Sequence, residues 1–194
     1  RRRCHPMQHN HQRSPGKCCP HMKMGKPAFW KLPEVSEMEF QHSFRVDAPI
    51  RDVIAFHNDT SALKKLTPFP IIAQIHEYEP LAEGSNARFT LWFGPFPVRR
   101  HAVHSNVSAA GFTDIQISGP LKSWRHNHRF TPDGNDATIV RDEISYEHDR
   151  GMRGLISRLL FNRPGLLYLF FMRKVLTRRG IQRLGTAAHS GAIG

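Results

Sequence analysis

The stretch Gly111–Phe130, GFTDIQISGPLKSWRHNHRF, decides the fold. Its central Gly119-Pro120 is a strong turn dipeptide, so the stretch predicts two strands joined by a tight turn. In the second strand, arginine and asparagine alternate with aromatic and imidazole side chains. Because arginine is rarely fully buried, its face of the strand should meet water. The opposite, inner face should carry Trp124, His126, His128 and Phe130.

Length and composition indicate one domain with a tail, because the chain has 194 residues and is 39% hydrophobic. No run approaches the roughly 18 apolar residues of a membrane span. The basic N-terminus is not followed by the apolar segment of a secretory signal. A cytoplasmic location is therefore the expectation.

The net charge of +12 is unevenly distributed along the chain. Residues 38–149 hold eleven basic and fourteen acidic side chains, whereas residues 150–194 hold nine basic side chains and no acid. The high isoelectric point therefore does not by itself indicate nucleic acid. The aromatic residues of the C-terminal segment occupy apolar helical positions and are not interleaved with arginine in a stacking surface, which also argues against nucleic-acid binding.

Residues 1–37 have no helical or strand period and are rich in Arg, His, Pro and Lys, which predicts a disordered basic tail. All three cysteines, Cys4, Cys18 and Cys19, lie there. Their spacing from the nearby histidines fits no zinc pattern, and adjacent cysteines make a poor tetrahedral pair. The domain that follows contains no cysteine, so its mechanism involves neither disulfides nor a thiol. Met38 would make a natural domain start.

The remaining chain predicts an α+β domain over residues 38–184 and a frayed end over residues 185–194. A strand at 39–46 is followed by two short helices and six further strands with short connections, which implies antiparallel neighbours. From residue 151 the apolar period becomes helical, and Pro164-Gly165 must kink this helix or split it in two.

This order of elements resembles the helix-grip fold of the SRPBCC superfamily, which includes START and birch-pollen-allergen proteins. FRVDAPIRDVIAFHND (44–59) and LKKLTPFP (63–70) resemble the polyketide cyclase/dehydrase and coenzyme-Q-binding branches. LWFGPFPVRRHAVHS (91–105), the opening stretch and TIVRDEISYEH (138–148) resemble bacterial proteins described as ligand-binding members. The resemblance implies a curved seven-stranded antiparallel sheet around a long C-terminal helix, with an apolar cavity between them.

The alternation of each strand predicts which side chains face that cavity. Polar residues at 141, 143, 145 and 147 mark a wet face, so Asp142 and Tyr146 should point inward. The strands at 98–107 and 112–118 leave both orientations open. Because inward histidines need hydrogen-bond partners, Asp114 and Gln116 are favoured over Ile115 and Ile117. The predicted ligand-binding residues are His104, Asp114, Gln116, Trp124, His126, His128, Asp142 and Tyr146.

Other interpretations of the same residues remain open at this point. The histidines can belong to a purely structural network, and Asp142 can pair with Arg125 or Arg129. His126, His128 and Asp142 can also chelate zinc. The resemblance does not support a metal, and the sequence predicts no metal or cofactor.

The sequence favours binding of an apolar or amphipathic small molecule, such as a lipid, an isoprenoid or a polyketide-like compound. The alternative is an enzyme of cyclase/dehydratase or hydrolase type. In it, His126 or His128 would act as a base oriented by Asp142 or Asp114, with Tyr146 as proton donor. No local signature marks a nucleophile, so the sequence does not decide whether a reaction is catalysed.

The C-terminal helix predicts a second contact, with an anionic membrane surface. Its apolar positions Leu155, Leu159, Leu166, Phe170 and Leu176 should cover the cavity. Its basic side chains, Arg173 among them, should stay in water. Because anionic lipids attract clustered basic residues, we expect weak docking through the Arg173–Arg183 end.

Overall fold

The structure is a computed structural model that describes the backbone of residues 37–190 and the side chains of residues 37–184. The predicted tail up to residue 36, with its cysteines, lies outside the described residues, as do residues 191–194. The strands within the described range are β1 (Met38–Val46), β2 (Ile71–Tyr78), β3 (Asn86–Phe93), β4 (Phe96–Ser108), β5 (Gly111–Ser118), β6 (Ser123–Pro132) and β7 (Thr138–Glu147). The helices are α1 (Ile50–Asn58), α2 (Ala62–Leu66), α3 (Gly151–Leu160) and α4 (Arg163–Ser190).

The strands form one antiparallel sheet in the order β1-β7-β6-β5-β4-β3-β2. Helix α4 packs on its inner face through Leu166, Phe170 and Ile181. These residues and the buried Thr177 follow one another at spacings of four or seven residues, so they lie on one face of the helix. The predicted helix-grip arrangement of a seven-stranded antiparallel sheet around a C-terminal helix is confirmed.

The helical region after β7 is divided into two helices at Asn162. Of the two outcomes predicted from Pro164-Gly165, a kink or a split, the structure shows the split. The side-chain oxygen of Asn162 accepts a hydrogen bond from the Gly165 N–H at 2.7 Å, which caps the start of α4. Because the break interrupts the helical period, α3 does not continue the buried face of α4. The prediction that Leu155 and Leu159 cover the cavity is therefore wrong, since they are 63% and 74% exposed.

The opposite end of α4 also differs from the prediction. The helix continues to Ser190, so residues 185–190 of the predicted frayed end are helical in their backbone. Within the described residues, no helix combines the length and the apolar character needed to cross a membrane.

The buried side chains form two apolar clusters beneath the sheet. One joins α1 and the far end of α4 and includes Val53, Phe56, Phe130 and Ile181. The other surrounds the start of α4 and includes Phe40, Trp124, Ile144, Phe161 and Phe170. The polar residues predicted from the sequence lie on β4 to β7, each of which contributes residues to one or both clusters.

Two glycines fix the spacing of elements around these polar residues. Gly111 has φ +138°, and a Cβ there would lie 1.8 Å from the carbonyl oxygen of His128, so only glycine allows β5 to approach β6. At Gly180 a Cβ would lie 2.4 Å from the ring of Phe56. The absence of a side chain at Gly180 therefore lets α4 pack closely against α1.

Candidate functional site

The pairing of the strands arranges the site residues in two rows that run across the sheet, because directly opposite residues of antiparallel strands point to the same face. The first row runs across β4, β5 and β6 through His104, Asp114 and His126. The second row runs across β5, β6, β7 and β1 through Phe112, His128, Asp142 and His42.

The burial pattern agrees with the orientation predicted for β6. Trp124, His126 and His128 are buried, while Arg125 and Arg129 between and beyond them are exposed. The structure also settles the orientation of β5, which the sequence left open. Asp114 faces a cavity beneath the sheet and Ile117 is 59% exposed, so the acidic face of β5 is the inner one.

Asp142 is the centre of the inner polar cluster and is completely buried. One of its oxygens, Oδ1, lies 2.9 Å from His126 Nε2 and 3.0 Å from His128 Nδ1. The Nε atom of Arg173 lies 3.6 Å from the same oxygen. Burial alone would raise the pKa of Asp142, but the charge of Arg173 and the two imidazole hydrogen bonds outweigh it and hold the pKa well below its usual value.

Both imidazoles of the cluster are neutral at pH 7. Burial lowers the pKa of His126, and it lowers the pKa of His128 further with the help of neighbouring His126. A neutral imidazole donates from one nitrogen only. The Nε2 atom of His126 donates to Asp142, so its Nδ1 keeps a lone pair and the carboxylate sets the tautomer of this ring. The Nδ1 atom of His128 lies 3.0 Å from the same carboxylate oxygen and 3.3 Å from the Nη2 donor of Arg173, so it sits between an acceptor and a donor.

A second polar pair lies beside the first. The Nη2 atom of Arg100 donates to Asp114 Oδ2 at 3.2 Å. The same guanidinium lies 5.0 Å from the centre of the Trp124 ring, within the range of a cation–π contact. Burial lowers the pKa of Arg100. The site thus holds two acid–arginine pairs whose charges cancel.

These groups surround a cavity of about 170 Å³ between the sheet, α2 and α4. A water molecule needs about 10–15 Å³ on the same measure, so the cavity can hold a ligand of roughly a dozen non-hydrogen atoms. Its apolar lining includes Ala62, Leu63, Leu66, Ile71, Phe89, Leu91, Phe93, Phe112, Phe161, Leu169 and Phe170. Its polar lining includes His57, Tyr78, Arg100, His104, Asp114, His126, His128 and Arg173.

Solved structures share this architecture. A START superfamily protein from Mycobacterium smegmatis matches with TM-score 0.58 and 12% identity over 77% of this chain and 99% of that one. The chain has the START-like helix-grip fold. A Streptomyces aromatase/cyclase matches this helix-grip domain with TM-score 0.56 and 16% identity, covering 79% of this chain and 94% of that one.

A plant enzyme shows the same helix-grip fold. Norcoclaurine synthase from Thalictrum flavum, solved with dopamine and hydroxybenzaldehyde, matches with TM-score 0.54 and 16% identity over 78% of this chain and 88% of that one. No protein-family model matches the sequence, and no curated protein matches it. Identities this low establish the fold of the chain and leave its activity open.

Five of the eight predicted site residues line the helix-grip cavity directly: His104, Asp114, Trp124, His126 and His128. Asp142 lies behind the two histidines. Gln116 lies outside the lining, and its amide nitrogen donates to the Leu121 carbonyl at 2.8 Å, which holds the β5–β6 turn. Tyr146 is also outside the lining and packs its ring against Trp124.

Sequence reasoning missed several polar residues of the cavity, among them His57, Tyr78, Arg100 and Arg173. The prediction that Arg173 stays in water is wrong, because its side chain is only 17% exposed and lies beside Asp142. Arg173 falls on the buried face of α4 between Phe170 and Thr177, and that helical spacing was the available signal. Arg100, Ala102 and His104 are alternate residues of β4, so Arg100 lies on the same inner face as His104.

The alternative pairing of Asp142 with surface arginines is also wrong. Arg129 instead lies 3.1 Å from Glu143 on the outer face. His126, His128 and Asp142 do bring three potential metal-ligand atoms within 4.8 Å of one another. However, Arg173 places a fixed positive charge next to the shared carboxylate oxygen, and His126 already donates to that oxygen. The arrangement favours a hydrogen-bonded network over a cation site.

Proposed function

We propose that this helix-grip protein binds an apolar or amphipathic small molecule in the cavity between its sheet and α4. The observation that carries the proposal is a partly open cavity with a largely apolar lining and a few convergent polar groups. Such a lining supplies affinity through apolar burial and orientation through the polar groups. The two acid–arginine pairs cancel in charge, which favours a ligand without net charge.

Unpaired polar atoms in the lining support the same proposal. Trp124 Nε1 is a buried donor, and Asp114 Oδ1 is a buried acceptor, and neither has a hydrogen-bond partner among the described residues. Buried polar groups are normally hydrogen-bonded in native proteins. A ligand that offers polar atoms to the cavity would satisfy them, whereas a pure hydrocarbon would not.

Native mass spectrometry after gentle purification tests this proposal. The wild-type chain should carry a small molecule that is released under denaturing conditions. Leu169→Trp should reduce that occupancy because Leu169 lines the cavity and a larger side chain would fill it. Leu167→Trp is the matched control, since Leu167 is an exposed residue of the same helix. Undiminished occupancy in a folded Leu169→Trp variant would contradict the proposal.

A second candidate function is proton-transfer catalysis of the cyclase or dehydratase type in the same cavity. The observation that favours it is the imidazole of His126, which Asp142 holds in one tautomer with a lone pair on Nδ1, as a general base requires. Tyr146, the proton donor expected from the sequence, lies outside the lining and has no part in this proposal.

A panel of polyketide-like and ester substrates tests the enzymatic candidate. Turnover should occur with the wild-type chain and fall by about a hundredfold or more in His126→Gln, because a general base contributes on the order of 10²–10⁴ in rate. Arg129→Gln on the outer face should retain the rate. The absence of turnover in the wild-type chain together with a co-purified ligand would favour the carrier.

We further propose that the protein docks on anionic membranes, at a surface that differs from the one expected. Arg173 belongs to the cavity, and Arg178 donates to the Arg45 carbonyl at 2.8 and 3.0 Å, so the C-terminal end of α4 offers fewer free cations than its sequence suggests. Helix α3 instead exposes four large apolar side chains: Met152, Leu155, Ile156 and Leu159. Exposed arginines flank them at positions 150, 153 and 158.

This combination of apolar and basic side chains on one short helix is typical of segments that lie in a membrane interface. Co-sedimentation with vesicles tests the docking. Binding should require phosphatidylserine, weaken with salt, and fall in Leu155→Glu, while Arg179→Glu on α4 should have a smaller effect. Equal binding to neutral and anionic vesicles, or self-association through α3 in place of vesicle binding, would contradict it.

A further inference from the structure

The last turn of α1 contributes a histidine that sequence patterns did not mark. His57 is 4% exposed and lines the cavity. Its ring lies 4.8 Å from the ring of Phe130, which shares the inner face of β6 with His128. His57 therefore reaches the polar cluster from the helical side, opposite the sheet.

The tautomer of His57 is fixed by its own helix. The Nδ1 atom lies 2.8 Å from the Val53 carbonyl oxygen, one turn earlier. A carbonyl can only accept, so Nδ1 carries the proton. Burial, aided by the charge of Arg173, lowers the pKa of His57 to about 4, so the ring is neutral at pH 7. The other nitrogen, Nε2, is then an acceptor with a lone pair.

Nε2 of His57 is buried and has no hydrogen-bond partner among the described residues. The same is true of the Nε–H donor of Arg173, whose distance of 3.6 Å to Asp142 is that of an ion pair and too long for a hydrogen bond. Both side chains line the same cavity. Two side chains of the lining thus carry one unmatched acceptor and one unmatched donor.

We infer that the cavity selects ligands with a neutral hydroxyl group, an alcohol or a phenol, which donates to His57 Nε2 and accepts from Arg173 Nε. The inference rests on the proposed ligand-binding function and names the chemical class of the ligand. A hydroxyl oxygen combines one donor with acceptor lone pairs in a single uncharged atom. A ketone or an ether cannot donate to His57.

Charged groups fit the pair less well. A carboxylate would direct its negative charge at the lone pair of His57, and an ammonium group would meet the positive charge of Arg173. The apolar lining near α2, with Ala62, Leu63 and Leu66, accommodates the hydrocarbon body of the ligand. The cavity volume of about 170 Å³ suits a body the size of one or two fused rings.

The test uses the full chain and three compounds of nearly equal size: β-naphthol, β-naphthyl methyl ether and β-naphthoate. Isothermal titration calorimetry should show β-naphthol binding about tenfold or more tightly than the methyl ether, as expected for one hydrogen bond to a buried polar group. β-Naphthoate should bind more weakly than β-naphthol. His57→Phe keeps an aromatic ring but removes the acceptor, so it should reduce the preference to within about twofold.

His57→Gln is the matched variant, because its amide oxygen can occupy the position of Nε2 as an acceptor and should retain most of the preference. A preference that persists in folded His57→Phe would overturn the inference. Equal affinities for β-naphthol and the methyl ether in the wild-type chain would also overturn it, and would indicate that a bound water serves both atoms. That result would leave the ligand-binding proposal intact. Failure of the wild-type chain to bind any of the three would count against both proposals.

Discussion

The two faces of strand β7 place neighbouring acids in opposite environments. Asp142 on the inner face is completely buried and contacts His126, His128 and Arg173. Glu143, the next residue, lies on the outer face and pairs with Arg129 at 3.1 Å and with Arg141 at 3.0 Å. The side chain of Glu143 is 29% exposed.

The difference teaches that an ion pair has to be judged by its environment and not by its distance. The outer pairs are partly solvated and screened by salt, so each contributes about 0–1 kcal/mol. The inner group has lost its hydration and depends on its partners. Removing one partner from such a buried pair costs about 3–5 kcal/mol, because the other charge is left uncompensated.

The largest expected effect is that of Asp142→Asn. The change keeps the shape of the side chain but leaves Arg173 buried without its counter-charge. We expect the free energy of unfolding in urea to fall by about 3–5 kcal/mol. A loss below about 1 kcal/mol in a folded variant would show that water reaches the cluster and that the inner and outer acids are equivalent.

The second-largest expected effect is a loss of folding stability in acid, which comes from the buried histidines. The pKa of His57 is about 4 in the folded chain, and a histidine in the unfolded chain titrates near 6.5. Below that unfolded value the unfolded state binds a proton that the folded state does not, so stability is lost as the pH falls from about 6.5 towards about 4. The loss from His57 amounts to roughly 3 kcal/mol.

Urea unfolding of the wild-type chain and of His57→Phe between pH 7.5 and pH 4.5 measures this effect. The variant should show a flatter dependence on pH, since it lacks the proton-binding site of the unfolded state. The lowered pKa values of His126 and His128 act in the same direction and should leave a residual slope. Identical slopes for the two proteins would place the titration elsewhere.

His126→Ala should have a smaller effect on stability. Asp142 loses one of its imidazole donors but keeps His128 and Arg173, so we expect a loss of about 1–3 kcal/mol in thermal or urea unfolding. If His126 also contacts the ligand, affinity in the same variant should fall. Arg125→Ala, on the exposed face of the same strand, is the control and should change stability by at most about 0.5 kcal/mol.

The smallest effect should come from Glu143→Gln. Its two arginine pairs are partly exposed, so we expect a loss below about 1 kcal/mol at low ionic strength. The loss should largely disappear in about 1 M salt, where the screening length is only about 3 Å. A loss that is independent of salt would mean that the outer pair is shielded from solvent like the inner one.

Strict alternation explains why part of the inner face could be predicted from the sequence. On β6 the inward Trp124, His126 and His128 are each followed by an arginine or an asparagine, so polarity alone gives the orientation of the strand. On β5 both faces mix polar and apolar residues, and only the register that places Asp114 opposite His126 settles which face is inner. Pairing between strands is a long-range property that one strand's pattern does not contain.

The helices show a different limit of sequence reasoning. A charged side chain is normally assigned to water, and that rule failed for Arg173, whose helical position outweighs its residue type. His57 follows Phe56 at the end of a short helix, where the apolar period is too brief to mark it. The position of the break between α3 and α4 is marked by the cap at Asn162, a local contact that the helical period does not reveal.

Gly180 determines a distance between two helices that one substitution can change while every residue lining the cavity stays the same. It sets how closely α4, which carries Arg173, approaches α1, which carries His57. One added methyl group at this position would press on the ring of Phe56 and push the two helices apart. In related chains, a substitution at this position could therefore change the distance between the donor Arg173 and the acceptor His57. That distance sets the size of the group that the two side chains can hold, although the substituted residue does not line the cavity.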